Sequence, residues 1–196
     1  MGKMKKILIA TTNKDKFKIV SYILRRAGIS EDLYEILSLN DINYDGPDII
    51  EVGDILKRAR VKAETIKNFF QNEIYDYFIG IDDGIILKGN MIENVKEYIK
   101  KILYENYLSE GEKIIFPRAY CIIGRDNNQV FQDVIEIPYV YMPRDNVSVE
   151  KCSYPLSQIA VPIGYDKPII ELTIEESNDY YWKYSEVKIK KLVKCF

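Results

Sequence analysis

The chain has 196 residues, of which 47% are hydrophobic and 30% charged, with a formal net charge of -2. This composition excludes intrinsic disorder, and 28 Lys and Arg against 30 Asp and Glu argue against a dedicated nucleic-acid-binding protein. Histidine is absent, which excludes Ser-His-Asp and Cys-His catalysis and any His-ligated metal.

Without histidine, a metal would need carboxylate donors, which suit a hard cation such as Mg²⁺ or Mn²⁺. A general base would be Asp, Glu, Lys or Tyr. The three cysteines, Cys121, Cys152 and Cys195, are odd in number and form no C-x-x-C pair. They point to a reducing compartment rather than a disulfide framework. The apolar run Ile7 to Ala10 is too short for a signal-peptide core, and no stretch approaches the length of a membrane span. Lys6 stands where a myristoylation motif needs Ser or Thr. A cytoplasmic protein without a membrane partner is expected.

Lys5 to Ala10 reads as a buried strand, followed by a polar turn at Thr11, Thr12 and Asn13. Phe17, Val20, Ile23, Leu24 and Ala27 then mark one face of a helix that Gly28 stops. Glu35 to Leu39 is a short strand, and Asn40 to Asp48 a loop. Leu56, Ala59, Ala63, Ile66 and Phe70 recur at helical spacing in a long amphipathic helix. Tyr77 to Ile81 is a strand running into Asp82-Asp83-Gly84. Ile92, Val95, Ile99, Ile102 and Leu103 mark a third helix.

The second half changes character. Arg118 to Gly124 and Val130 to Ile137 read as strands joined by a turn at Asp126-Asn127-Asn128. Val140 to Ser157 reads as irregular, Ile169 to Leu172 as a last strand and Ser185 to Val193 as a terminal helix. Strand–helix alternation followed by a hairpin-rich part predicts an α/β fold around a central mixed sheet.

Three segments have the composition of a site. Ala10 to Lys16 joins a strand to a helix N-terminus, where free N–H groups and a lysine favour phosphate. An ordinary N-cap by Thr12 or Asn13 explains the same residues. Glu51 precedes the long helix, as a metal ligand or as a carboxylate favoured by the helix dipole. Asp82 and Asp83 end an apolar strand, where open α/β sheets bind ligands. There a cation would relieve their repulsion, although D-D-G also makes a good turn. No Walker A sequence is present.

In order along the chain, these residues resemble the inosine triphosphatase family, pyrophosphatases of deaminated purine nucleoside triphosphates. Ala10, Thr11, Asn13 and Lys16 match its opening A-T-x-N-x-x-K. Glu51 and Lys62-Ala63 match a Glu ahead of a helix ending in K-A, and Asp82-Asp83-Gly84 an acidic pair after a strand. Arg118-Ala119-Tyr120 is similar to its R-x-A-Y segment. Pro162, Gly164 and Tyr165 match its P-x-G-Y, with Glu171 as the following acidic residue.

The resemblance implies one domain over residues 1–196, elongated and two-lobed, with a nucleotide cleft between the lobes and usually a homodimer. It implies cleavage of inosine or xanthosine triphosphate to monophosphate and pyrophosphate with Mg²⁺ or Mn²⁺. Asn13 and Lys16 would then hold the nucleotide's phosphates, with Thr11, Thr12, Tyr165 and Lys183 also at the nucleotide. Glu51 and Asp82 would hold the metal, and Asp83 would orient or deprotonate the attacking water. Asp82, Asp83 and Lys16 are thus the expected catalytic residues.

The departures lie in the family's base-reading motifs. Its F-G-W-D-P falls near Tyr154 to Gln158 without the acidic residue, and its S-H-R near Tyr181-Trp182-Lys183 without a histidine. Thr12 and Asp15 stand where glycines are common. Tyr154, Tyr180, Tyr181 and Trp182 are either base-stacking residues or core or interface residues, in a chain with 16 tyrosines. Two functions follow as expectations: a pyrophosphatase with altered base preference, or a slow or non-hydrolysing sensor of a dITP- or ITP-type nucleotide. The sensor would signal to an effector protein partner, with antiviral defence a fitting setting.

Overall fold

Lys5–Ile9 forms strand β1, and its inner residues Ile7, Leu8 and Ile9 are wholly buried, as an apolar run of that length predicts. The computed structural model describes residues 3–50, 52–70, 74–92, 95–105, 107–126, 130–150 and 154–196. Glu51, Cys152 and the Asn127-Asn128 turn positions lie outside them. The fold is α/β, with a mixed sheet and, among the described residues, four α-helices. Its residues group into two compact units.

The first unit comprises residues 1–83, 118–135 and 185–196. Helix α1 (Lys14–Arg26) follows β1 and ends where Gly28 takes a left-handed φ of 110°. Strand β2 (Tyr34–Ser38), helix α2 (Ile55–Phe69) and strand β3 (Tyr77–Asp83) follow. β1 lies between β2 and β3 and is parallel to both, with Ile7 opposite Ile36 and Ile9 opposite Ile79. The connections β1–α1–β2 and β2–α2–β3 therefore run in opposite directions across the sheet. Right-handed crossovers then carry α1 and α2 to opposite faces. Ile66 of α2 packs with Leu8, Ala10 and Phe78. Alternation turns Ile7, Ile9, Ile79 and Ile81 the other way, toward α1.

Helix α2 sits very close to β3. A Cβ added at Gly80 would meet the Ala59 carbonyl oxygen at 1.8 Å and the Ala63 nitrogen at 2.8 Å. Ala59 and Ala63 are fully buried, and the same helix face packs on Ala119, Cys121 and Ile123 of strand β6 (Lys113–Gly124). β6 is antiparallel to β3, pairing Asp82 with Ala119 and Asp83 with Arg118. Burial pushes the Cys121 thiol up to about 12 and the Cys195 thiol up to about 11, so neither is a thiolate at neutral pH.

The second unit comprises residues 84–117 and 136–184. Strands β4 (Ile85–Leu87) and β5 (Asn90–Ile92) form a hairpin that the sequence pattern did not reveal. Lys88 and Gly89 carry its turn with φ of 51° and 80°, the left-handed pair that a tight hairpin needs. Ile92 thus closes a strand, and helix α3 begins at Val95 (Val95–Tyr104). β4 pairs with the start of β6, Ile86 opposite Ile115. Strand β7 (Val130–Tyr141) pairs through its end with β8 (Ala160–Pro162).

Both long strands extend beyond the expected spans, β6 starting at Lys113 and β7 ending at Tyr141. Pro155–Gln158 is a turn of 3-10 helix inside the expected irregular stretch. Ile169–Glu171 is also 3-10 helix, not the expected strand. Pro168 precedes it and Leu172 ends it, which leaves no room for a ladder. Helix α4 (Ile174–Leu192) starts well before Ser185. Tyr180, Tyr181 and Trp182 are buried in it. Tyr180 packs on Tyr139, Tyr165 and Tyr184, and its hydroxyl accepts from Ile163 N–H at 2.9 Å while donating to the Pro138 carbonyl. These aromatics are core. No helix among the described residues is long and apolar enough to cross a membrane.

Gly80→Ala is expected to destabilise the fold by roughly 3 kcal/mol or more, at the upper end of overpacking costs, because the obstacle is backbone. Denaturant midpoints test this, and a loss near zero would mean that α2 is not seated on β3 as described.

Candidate functional site

The turn after β1 is fixed by its own hydrogen bonds. Ala10 N–H donates to Ile79 O at 2.7 Å, and Asn13 N–H to the Thr11 hydroxyl at 3.1 Å. Asn13 caps α1, its Oδ1 accepting from the N–H groups of Asp15 at 2.9 Å and Lys16 at 3.1 Å. The N-cap reading of Asn13 is therefore the observed one. The Asn40 amide donates to Thr12 O at 2.7 Å and ties this turn to the β2–α2 loop. In that loop Asp41 accepts from Ser38, and the Tyr44 ring lies over Gly46, where a Cβ would be 2.5 Å away.

A cleft of about 450 Å³ opens between the two loops. Thr11, Thr12, Asn13 and Lys16 form one wall, and Leu39, Tyr44 and residues 46–49 the other, with Lys62 of α2 also exposed to it. It lies outside the carboxyl ends of β1 and β2. That is where neighbouring parallel strands send their helices to opposite faces, and where open α/β sheets take ligands.

Asp82 and Asp83 do not form a carboxylate pair. β3 stays extended through Asp83, so their side chains turn to opposite faces. Asp82 points to α2, its Oδ1 2.6 Å from Lys62 Nζ and its Oδ2 2.6 Å from Arg58 Nε. Asp83 points to the α1 face. Arg118 grips it with two donors at 2.5 and 2.9 Å, and Lys16 Nζ lies 3.1 Å from its Oδ2.

Burial opposes ionisation of Asp83, but the Arg118 and Lys16 charges outweigh it and hold the carboxyl well below its usual range. Asp83 is therefore a weak base. Four cations surround two carboxylates, so the cluster is net positive by two charges. Asp15, in the first turn of α1, is exposed and not among the cleft's lining residues.

This donor set does not fit a divalent cation shared by the two aspartates. They face apart, and every carboxylate oxygen already meets a cation. Among the described residues no three Asp, Glu or Cys side chains converge. Glu51, the other expected ligand, lies outside those residues.

The remaining expected residues belong to the second unit. Tyr165 packs edge-on against Tyr180 with ring centres 5.8 Å apart, and Lys183 Nζ lies 5.4 Å from the centre of the Tyr184 ring. Glu171 is ion-paired with Arg144. Arg58, Lys62, Arg118 and Tyr44 were missed as site residues. A signal existed for Lys62, a charged residue flanked on the buried helix face by Ala59, Ala63 and Ile66.

No protein-family model and no curated protein matches this chain. Among solved structures it is similar to the crystal structure of protein VC0702 from Vibrio cholerae, with 13% sequence identity and a TM-score of 0.37. The match covers 72% of this chain and 62% of that one, so the chain spans less than two thirds of that protein. A likeness at this level identifies neither a fold family nor a function.

Two outcomes check the cluster. Asp82→Ala leaves Lys62 and Arg58 without their carboxylate and is expected to cost roughly 3 kcal/mol. Asp83→Asn is expected to lower the denaturation midpoint equally at pH 6 and pH 8. The depressed carboxyl contributes fully above the unfolded value of about 4 and loses its contribution as pH falls below it. The gap to wild type should therefore narrow only in stronger acid. A gap that already closes between pH 8 and pH 6 would contradict the Arg118–Asp83–Lys16 contact.

Proposed function

We propose that this chain binds the triphosphate of a nucleoside triphosphate in the β1–α1/β2–α2 cleft, as a divergent relative of the inosine triphosphatase family. The observation that carries this reading is the presence of Lys16 and Lys62 in one cleft at the N-terminal end of α1. One lysine comes from each face of the sheet, and the helix end adds partial positive charge. The ordered motifs noted in the sequence support the nucleotide class, and a deaminated purine follows from the same likeness. The two-lobed arrangement around a nucleotide cleft, the homodimer and the cytoplasmic location rest on the sequence reading alone.

In this reading Lys16 and Lys62 exchange part of their contact with Asp83 and Asp82 for phosphate oxygens. The Tyr44 ring in the opposite wall offers an apolar face for the nucleoside. Thr11 Oγ1 and Asn13 Oδ1 accept hydrogen bonds that hold the turn in shape, and both residues line the cleft. Cleavage to monophosphate and pyrophosphate needs a base for water. Asp83 fills that place poorly, because Arg118 keeps both oxygens engaged even if Lys16 leaves. A divalent cation, where present, would supply charge neutralisation on the phosphates. No step here depends on it.

The tied carboxylates favour slow turnover and hence the second reading, a nucleotide sensor that holds its ligand and signals to an effector protein. Pyrophosphatase activity on the same ligand is the faster end of one scheme.

A panel of standard and deaminated nucleoside triphosphates tests the proposal by equilibrium binding and by pyrophosphate release. Binding of one or a few members is expected, weakened about tenfold or more in Lys16→Met, with release well under about 1 per second. Fast release abolished by Asp83→Asn would establish the enzyme and overturn the sensor reading. Absence of binding by every member would overturn the proposal.

A further inference from the structure

Asp82, expected as a metal ligand, carries two protein cations instead. Lys62 and Arg58 each approach one Asp82 oxygen at 2.6 Å, and Asp82 is only 5% exposed. Arg58 is held on its other side by a hydrogen bond to Gly53 O at 3.0 Å. These two residues lie one helical turn apart on α2, and Gly80 brings that helix onto β3. A divalent cation on Asp82 would have to expel a buried lysine and a part-buried arginine. It would also approach a side-chain cluster that is net positive by two charges, with Asp48 in the opposite wall the one carboxylate among the cleft's lining residues. Both changes are unfavourable. An anion meets the opposite situation, since it relieves the surplus positive charge.

We infer that Lys62 and Arg58 take the place of a divalent cation, and that the cleft binds the free, metal-free triphosphate group. Lys62 is the residue that does this directly, because it both touches Asp82 and lines the cleft. Arg58 is a positioning residue that keeps Asp82 neutralised as Lys62 turns to phosphate. Mg²⁺ cancels two charges of the free ligand, so it weakens the attraction rather than supplying it. This inference rests on the nucleotide reading above and specifies the ionic form of the ligand.

The test is calorimetric titration of the full chain with inorganic tripolyphosphate and with inosine triphosphate, each in chelator and in excess Mg²⁺. The expected result is binding at least as tight in chelator as in Mg²⁺, falling about tenfold or more in Lys62→Met. Circular dichroism of that variant shows that it is folded. Binding that weakens about tenfold or more on chelation overturns the inference and leaves the nucleotide reading standing. Binding that Lys62→Met leaves unchanged also overturns it. Absence of binding in both media overturns the inference and the nucleotide reading together.

Discussion

A Cβ at residue 80 would lie 1.8 Å from the Ala59 carbonyl oxygen, so α2 reaches its seat on β3 only because that position is glycine. Ala59 and Ala63 complete the approach with the smallest side chains a helix can offer. The consequence is electrostatic as well as steric. Arg58 and Lys62, the residues immediately before Ala59 and Ala63, come within hydrogen-bond reach of Asp82. A wider helix–sheet spacing would leave Asp82 buried without its cations, which is costly. Packing at Gly80 and charge at Asp82 are therefore one constraint.

The other face of the sheet repeats the pattern with different parts. Asp83 stands opposite Arg118 across the β3–β6 ladder and receives Lys16 from α1. The two aspartates are neighbours in sequence and separate in space. Each is the anchor for two cations, and one lysine of each set borders the cleft. An anion that enters there meets positive charge from both faces without disturbing the arginines. This arrangement leaves both aspartates poorly disposed for base chemistry. A carboxylate gripped by a guanidinium is easy to keep ionised and hard to use as a base.

Much of the first unit was legible because local rules and tertiary demands agree there. The apolar run of β1, the Gly28 stop and the 3.6-residue period of α2 each say one thing, whereas Thr12 and Asn13 are equal candidates for the α1 cap until the structure places Asn13 there. The β4–β5 hairpin was not legible, since Ile85 to Leu87 is too short a run to separate strand from core loop, and its turn residues Lys88 and Gly89 are a weak signal. Ile169 to Leu172 has strand composition but too little length, and became 3-10 helix. The sequence shows the two adjacent aspartates but not the faces to which they turn. Extending β3 by two residues, through Asp83, turns a supposed pair into two opposed sites. Arg118 lies far along the chain from Asp83, so no local pattern joins them.

The proposed nucleotide position is the cleft between the β1–α1 and β2–α2 loops. Backbone amide spectra of the labelled protein, titrated with inosine triphosphate, test it most directly. The account predicts that the largest shift changes cluster at Thr11 to Lys16 and at Leu39 to Ile49, with smaller ones near Lys62. Changes confined to the cleft around Arg144 and Glu171 in the second unit, or none at all, would contradict it.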